Sequence, residues 1–469
     1  MNERAQDLVA GVATEEITPL APVCLCGYPH APRMSTGVHD PLLSSALFLE
    51  SRGEAALLMS LDLLCLSPAD ALDLRARVSK AAGVPAANVF AACTHTHSGP
   101  ATVPFRRWDG NGAGPAPDGG YIEQAKLKAV AAAEKARSLA RPARLAWTSA
   151  DATGVGGNFL APDGTTDPEA SVLAVRDARA GSLLGLALVY GMHPTVLLEN
   201  TTLVSSDFPH YARQQLQTAF GPELVVLYFN GPSGDQSPRH FIKGQTFAEA
   251  ERLGRQLGAT VVGSVELLSE TAFEVNPDLR GSRKKVALPR RRFPGVEEAE
   301  SLLNERRANL ERLKSEKAPG VQVRAAECDV FGAEAGFALS RMQAQGRLDG
   351  AYAGYETAEV QALRIGGVCL AGLPGELFAE YGLGIKRLAA MKSCVASLVN
   401  GELQGHIVTP GAEGGHESSG CLFLPEAGRL IADAALALIE GLSDKNIQKP
   451  PPAVCGQAPG PGVAGGQGK

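Results

Sequence analysis

The sequence predicts an α/β fold, arranged as one large domain or as two halves sharing one core. Three observations carry this. Residues 55–93 read as a strand–helix–strand unit; several further apolar runs each stop at a polar motif; and helical patterns fill the stretches between those runs.

Taken in order, residues 8–16 and 45–50 read as short strands. The loop between them, 21–41, is dense in Pro, Gly, Cys and His, and a loop of that length inside a compact domain is more often functional than idle. Residues 55–66 have the apolar character of a strand buried on both faces, interrupted by Asp62, a charge that needs a partner if buried. Ser67-Pro68-Ala69-Asp70 then starts a helix, with a hydroxyl N-cap, proline at the first helical position and an acid three residues after the cap. That helix runs to about residue 82 and ends before Gly83 and Pro85. The next apolar run, 89–93, should therefore lie parallel to 55–66 in one sheet, because a helical crossover joins parallel neighbours.

The pattern recurs. Residues 183–192 end in His193-Pro194, 224–229 in Asn230 and a Gly/Ser/Pro-rich segment, 363–373 in Pro374-Gly375-Glu376, and 394–399 in Asn400 with Gly405-His406 beyond. Helical patterns cover 209–219, 247–268, 376–390 and 423–441. In open α/β sheets ligands bind beyond the carboxyl ends of strands, where the loops converge. Five such ends carrying polar motifs point to one site. Residues 294–318 read as a charged surface helix with a narrow leucine stripe, and the basic cluster at 283–292 as a solvated face. Residues 444–469, rich in Pro and Gly, read as a disordered tail to a catalytic domain spanning 1–443.

Composition excludes several classes. The 469 residues carry a formal net charge of -6 with 45% hydrophobic content, which gives no basic footprint for nucleic acid and ample material for a core. The N-terminus is charged where a signal peptide is apolar, and no stretch reaches the roughly 18 apolar residues of a membrane span. Nine scattered cysteines without a CxxC pair argue against a disulfide framework and for a reduced, cytoplasmic protein. Oligomeric state is not encoded in any of these features.

The stretch Thr94-His95-Thr96-His97-Ser98-Gly99-Pro100 follows the 89–93 strand. In extended backbone alternate side chains share a face, so His95 and His97 can converge on one ion or substrate, although a lone His-x-His more often bonds nearby carbonyls. The nine histidines all fall in loops or at element ends, and four of them, His95, His97, His193 and His406, follow strand-ending motifs. With a carboxylate such as Glu376 they make a nitrogen/oxygen set suited to zinc.

Several spaced motifs resemble the neutral ceramidases and their bacterial relatives: GVHDPL at 37–42, THTHSGP at 94–100, His193-Pro194 followed by LVSSDFPHYA at 203–212, Gly-Asp-x-Ser-Pro at 234–238 and LPGE at 373–376. The resemblance spans about residues 8–440. It implies a zinc-dependent amidohydrolase with an α/β catalytic domain of mixed sheets and outer helices. It makes His95, His193 and Glu376 zinc ligands. His406, in His-Ile-Val-Thr, stands where the family has a ligand tyrosine, and neutral imidazole can complete the site. Ser237 matches the family's proposed nucleophile; read alone, Asp235 and Ser237 are as readily turn formers. His97 is expected to orient or stabilise the reacting carbonyl. Asp207 is expected as a supporting catalytic residue or, equally, as a helix cap.

The function implied is hydrolysis of an amide bond in an N-acylated small molecule, by a serine route or by direct attack of metal-activated water. Ceramide itself is disfavoured as substrate, since the chain lacks the signal peptide and C-terminal β-sandwich of the secreted enzymes and has lost the ligand tyrosine. A zinc esterase acting on polar metabolites and a metal-binding protein without catalysis are the alternatives. A structural protein whose strand-end histidines are coincidental would hold no tightly bound metal.

Overall fold

The structure is a computed structural model that describes residues 7–28, 30–104 and 116–444. The strand–helix–strand unit forms as its sequence dictates. Ser67 Oγ accepts the Asp70 N–H at 3.1 Å to start the helix Pro68–Ala82, and Gly83, at φ 63°, ends it in the left-handed conformation. The flanking strands Glu54–Leu61 and Val89–Cys93 are parallel, with Leu57 opposite Val89. Asp62, just beyond the first strand, is fully buried and meets its partner. Arg213 grips both carboxylate oxygens, at 2.8 and 2.5 Å.

Eight strands make the main sheet, in the order Val225–Asn230, Leu183–Tyr190, Glu169–Asp177, Arg141–Asp151, Val9–Glu16, Leu43–Ser51, Glu54–Leu61 and Val89–Cys93. Among the described residues its two halves pair at Val9–Pro142 and Ala10–Arg141, with the Ala143 N–H bonding the Leu8 carbonyl beside them at 2.9 Å. A second sheet runs Leu279–Ala287, Thr357–Ile365, Val368–Gly372 and Ser393–Ala396. Both halves and the second sheet turn their apolar faces into one shared core, where Phe90, Phe229, Leu227, Leu363, Leu370 and Cys394 meet. The Phe90 and Phe229 rings pack edge to face at 5.8 Å. Outer helices cover the opposite faces: Pro68–Ala82 with Gly119–Ser138, Phe208–Phe220 with Phe247–Glu266, and Ala379–Leu388 with Glu426–Leu442. Both sheets mix parallel and antiparallel pairs. The five strands expected to end in polar motifs all lie in parallel pairs, so their carboxyl ends point the same way within each pair.

Some segments differ from expectation. Residues 363–373 are not one strand but the two arms of an antiparallel hairpin, Thr357–Ile365 and Val368–Gly372, bent at Gly366 with φ 61°. The glycine pair 366–367 supplies the turn inside an otherwise continuous apolar run. The helix read at 376–390 begins later, at Ala379, because Glu376–Leu377 is a short strand paired with His406–Ile407. The surface helix read at 294–318 is Val296–Ser315, and it packs through Leu303 and Leu310 on Ala326 and Val330 of a long helix, Gly320–Ala344, that the sequence pattern had not marked. Residues 445–469, most of the expected tail, lie outside the described residues, while Asp444 pairs with Arg364 at 2.8 Å. Among the described residues no helix is long and apolar enough to cross a membrane.

Candidate metal centre and substrate cavity

Past the end of the strand Val89–Cys93 the backbone turns sharply. His95 adopts φ 73°, a left-handed conformation that a side-chain-bearing residue holds only when its surroundings enforce it. Its N–H bonds the Leu63 carbonyl at 2.9 Å and its ring Nδ1 meets the Leu64 carbonyl at 3.0 Å. A proton on Nδ1 leaves Nε2 as the free lone pair. The same device fixes His193, whose main-chain N–H and Nδ1 both meet the Gln236 carbonyl, at 3.1 and 3.0 Å. His406 is oriented instead by a carboxylate, its Nδ1 contacting Glu417. Glu376 sits directly opposite His406 on the paired short strands.

The result is a convergence on one oxygen. Nε2 of His95, His193 and His406 lie 3.1, 3.2 and 3.0 Å from Oε2 of Glu376. A tetrahedral zinc with bonds of about 2.0–2.1 Å requires its ligand atoms roughly 3.3 Å apart. Among the described residues two sets of donor atoms lie within 4.8 Å of one another, His95 with His97 and His193, and His193 with Glu376 and His406. They share His193, and either could hold a metal ion, while His95, His193 and His406 each have the backing partner that metal-bound histidines require. Burial pushes the Glu376 carboxyl up, but His95, His406 and His193 outweigh it and hold the group well below the usual carboxylate range. Burial lowers His406, yet Glu417 and Glu376 raise it well above the ordinary imidazole value.

His97 joins this group without joining its hydrogen bonds. Its ring stands perpendicular to that of His95, with centroids 5.0 Å apart, and 5.6 Å from that of His193. Both ring nitrogens are buried and neither has a hydrogen-bond partner among the described residues. Burial, then the neighbouring His95 and His193, drive its pKa well below the ordinary value, so the ring is neutral. Gly27, at φ 96°, makes room for it, since a Cβ there would lie 2.6 Å from the imidazole.

Ser237 lies on the short strand Gln236–Ser237, one residue beyond the carbonyl that fixes His193, and lines the same cavity. Its Oγ accepts the Arg239 N–H at 3.2 Å. Among the described residues no imidazole or carboxylate is hydrogen-bonded to it. Asp235, from the same motif, accepts from Ala379 N–H at 2.8 Å and from Asn158 Nδ2 at 2.9 Å, tying two elements together as a turn former does. Asp207 caps the helix Phe208–Phe220, accepting from Phe208 N–H at 2.6 Å and Leu197 N–H at 2.9 Å. Of its two expected roles the structure displays the cap, and both carboxylate oxygens are occupied by main chain.

Above the histidines opens a cavity of about 700 Å³, within the size range of small-molecule sites. Tyr28, Phe159, Leu198, Ile242 and Phe331 supply apolar wall, and the helix Gly320–Ala344 closes one side. Sequence reasoning had not marked that helix, nor Glu417, Glu402 or Arg239. The only signal for Glu417 was its place beside His416, one of the nine histidines.

Fold and donor set together define a mixed α/β chain with a candidate metal centre at its strand ends, and solved neutral ceramidase structures share this fold. Among solved structures, a ceramidase complexed with C2 matches at a TM-score of 0.69 and 19% identity, over 95% of this chain and 77% of that one. A crystal structure of neutral ceramidase from Pseudomonas aeruginosa matches at a TM-score of 0.68 and 20% identity, over 95% of this chain and 76% of that one. At that identity the likeness is one of fold. No family model matches the sequence, and no curated protein matches it.

Proposed function

We propose that this protein is a zinc-dependent hydrolase that cleaves the amide bond of an N-acylated small molecule. One observation carries the reading: three imidazole nitrogens surround a single carboxylate oxygen at the base of a ligand-sized cavity. A divalent cation held by His95, His193, Glu376 and His406 would supply Lewis-acid polarisation of the amide carbonyl and acidification of a water. The chain's own groups do the rest. His97, neutral and free at both ring nitrogens, has a donor to give the oxygen on which charge develops. Ser237 stands in the cavity wall as the candidate nucleophile, and it lacks a side-chain base of its own, so its proton must leave to water or to a group brought by the substrate. Asp207 acts as a positioning residue, holding the Leu197 amide and with it the loop that follows His193.

The test is a panel of N-acyl and ester substrates, assayed with and without chelator, on wild type and Ser237→Ala. Chelator-sensitive amide cleavage is the expected result. Loss of at least a hundredfold in Ser237→Ala supports the serine route, and full activity there leaves direct attack by water. Cleavage of esters alone would make the protein an esterase. No turnover of any substrate by metal-loaded protein would sink the catalytic reading.

A further inference from the structure

The cavity wall carries three basic side chains, Arg239, Lys243 and Arg324. Arg324 is neutralised in place by Glu199, at 2.7 and 3.2 Å, and by Glu327 at 3.2 Å. Lys243 is exposed to solvent. Arg239 differs from both. It is half-buried, its guanidinium lies 4.8 Å from the centre of the Phe159 ring, and its polar side-chain contact is the Cys328 sulfur at 3.4 Å. Among the described residues no carboxylate pairs with it. The acids that share the cavity are already engaged: Glu376 by three imidazoles, Glu417 by His406 and His416, and Glu402 by Tyr355 and Gln404. A guanidinium presents five N–H donors in a planar fork that matches an oxyanion, and the Phe159 face holds this one at the cavity wall with no acid beside it among the described residues. A neutral lipid amide would leave that fork without an acidic partner; a negatively charged substrate would supply one. The residue also sits at the reacting end of the cavity, because its main-chain N–H is the donor to Ser237 Oγ.

We infer that Arg239 binds an oxyanion on the substrate, so that the preferred amides are anionic, of the N-acyl amino acid class. The inference rests on the hydrolase reading above. It makes Arg239 a specificity determinant and the aromatic and aliphatic wall opposite it the seat of the acyl chain.

Metal-loaded wild type, Arg239→Gln and Arg239→Lys are to be compared on N-octanoylglycine, N-octanoyltaurine and N-octanoylethanolamine, which differ in the charge at one end. Wild type should favour the glycine conjugate over the ethanolamide in kcat/KM, and Arg239→Gln should shrink that ratio by about 10–100-fold. Arg239→Lys, which keeps the charge, should retain part of the preference. A taurine conjugate that matches the glycine one identifies a general oxyanion site, and a poor one a site shaped for planar carboxylate. A glycine-to-ethanolamide ratio unmoved by Arg239→Gln overturns the inference. If none of the three is hydrolysed, the hydrolase reading fails on its own, and calorimetric titration of the same compounds decides the anion site. A Kd preference for the glycine conjugate that Arg239→Gln abolishes supports it, and equal Kd values for the charged and neutral compounds overturn it.

Discussion

His406 is held between two carboxylates, Glu376 on its Nε2 side and Glu417 on its Nδ1 side, and so has its ring plane fixed at the candidate metal centre. Removing Glu417 should therefore weaken metal binding without removing a ligand. For Glu417→Gln we expect metal affinity to fall about 10–100-fold in competition with a chromophoric chelator. Asp207 offers a separate test in pH. Burial pushes its carboxyl up to about 7, despite the amides of Leu197 and Phe208 that favour its charged form. A folded value raised above the unfolded one means the group stabilises the fold fully below pH of about 4, and that contribution is lost as pH rises through about 7. Asp207→Asn should flatten the decline in stability across that window, as read by urea unfolding at pH 4, 5.5 and 7; an unchanged slope would show that the carboxyl is not buried as described. At this scale His95, His193, Glu376 and His406 were legible because each follows a strand-ending motif that could be recognised. Glu417 and Arg239 were not, since each is an ordinary polar residue in a turn-rich stretch whose partners come from distant segments.

The cavity is completed by an element that periodicity does not reveal. Gly320–Ala344 buries small residues on more than one side, so its apolar positions form no single stripe. Its partner Val296–Ser315 was legible from the leucine stripe alone. Gly332 lets the long helix approach the His416 segment, where a Cβ would stand 2.5 Å from the His416 carbonyl oxygen. Gly332→Ala should cost about 1–3 kcal/mol in denaturant unfolding, because the obstacle is main chain and cannot rotate away. The pairing of Glu376–Leu377 with His406–Ile407 was equally hidden, since two-residue strands carry no alternation to read. The hairpin at Gly366 shows the same limit from the other side: the apolar run was visible and the reversal within it was not.

Across the whole molecule the candidate ligands come from both sheets. His95 and His193 follow strands of the eight-stranded sheet, whereas Glu376 and His406 lie in segments that follow strands of the second sheet. A bound ion would thus join the two layers that otherwise meet through the core around Phe90 and Phe229. Two consequences separate core from centre. Phe90→Ala should destabilise the protein by about 3–5 kcal/mol whether or not metal is present. Chelation should lower the stability of wild type, by about 4 kcal/mol if free metal had stood at a thousand times its Kd, and should leave Glu376→Gln nearly unaffected. The layered α/β architecture was legible because the strand–helix–strand unit and the repeated strand ends are local patterns. The folding back of the main sheet rests on side chains meeting over long sequence separations, which local patterns do not encode. The most direct test of the central claim is the metal content of the purified protein, measured by plasma mass spectrometry beside Glu376→Gln. About one zinc per wild-type chain, reduced at least tenfold in the variant, is the predicted result, given the four-ligand requirement of such a centre. Wild-type protein that takes up no more metal than Glu376→Gln would contradict it.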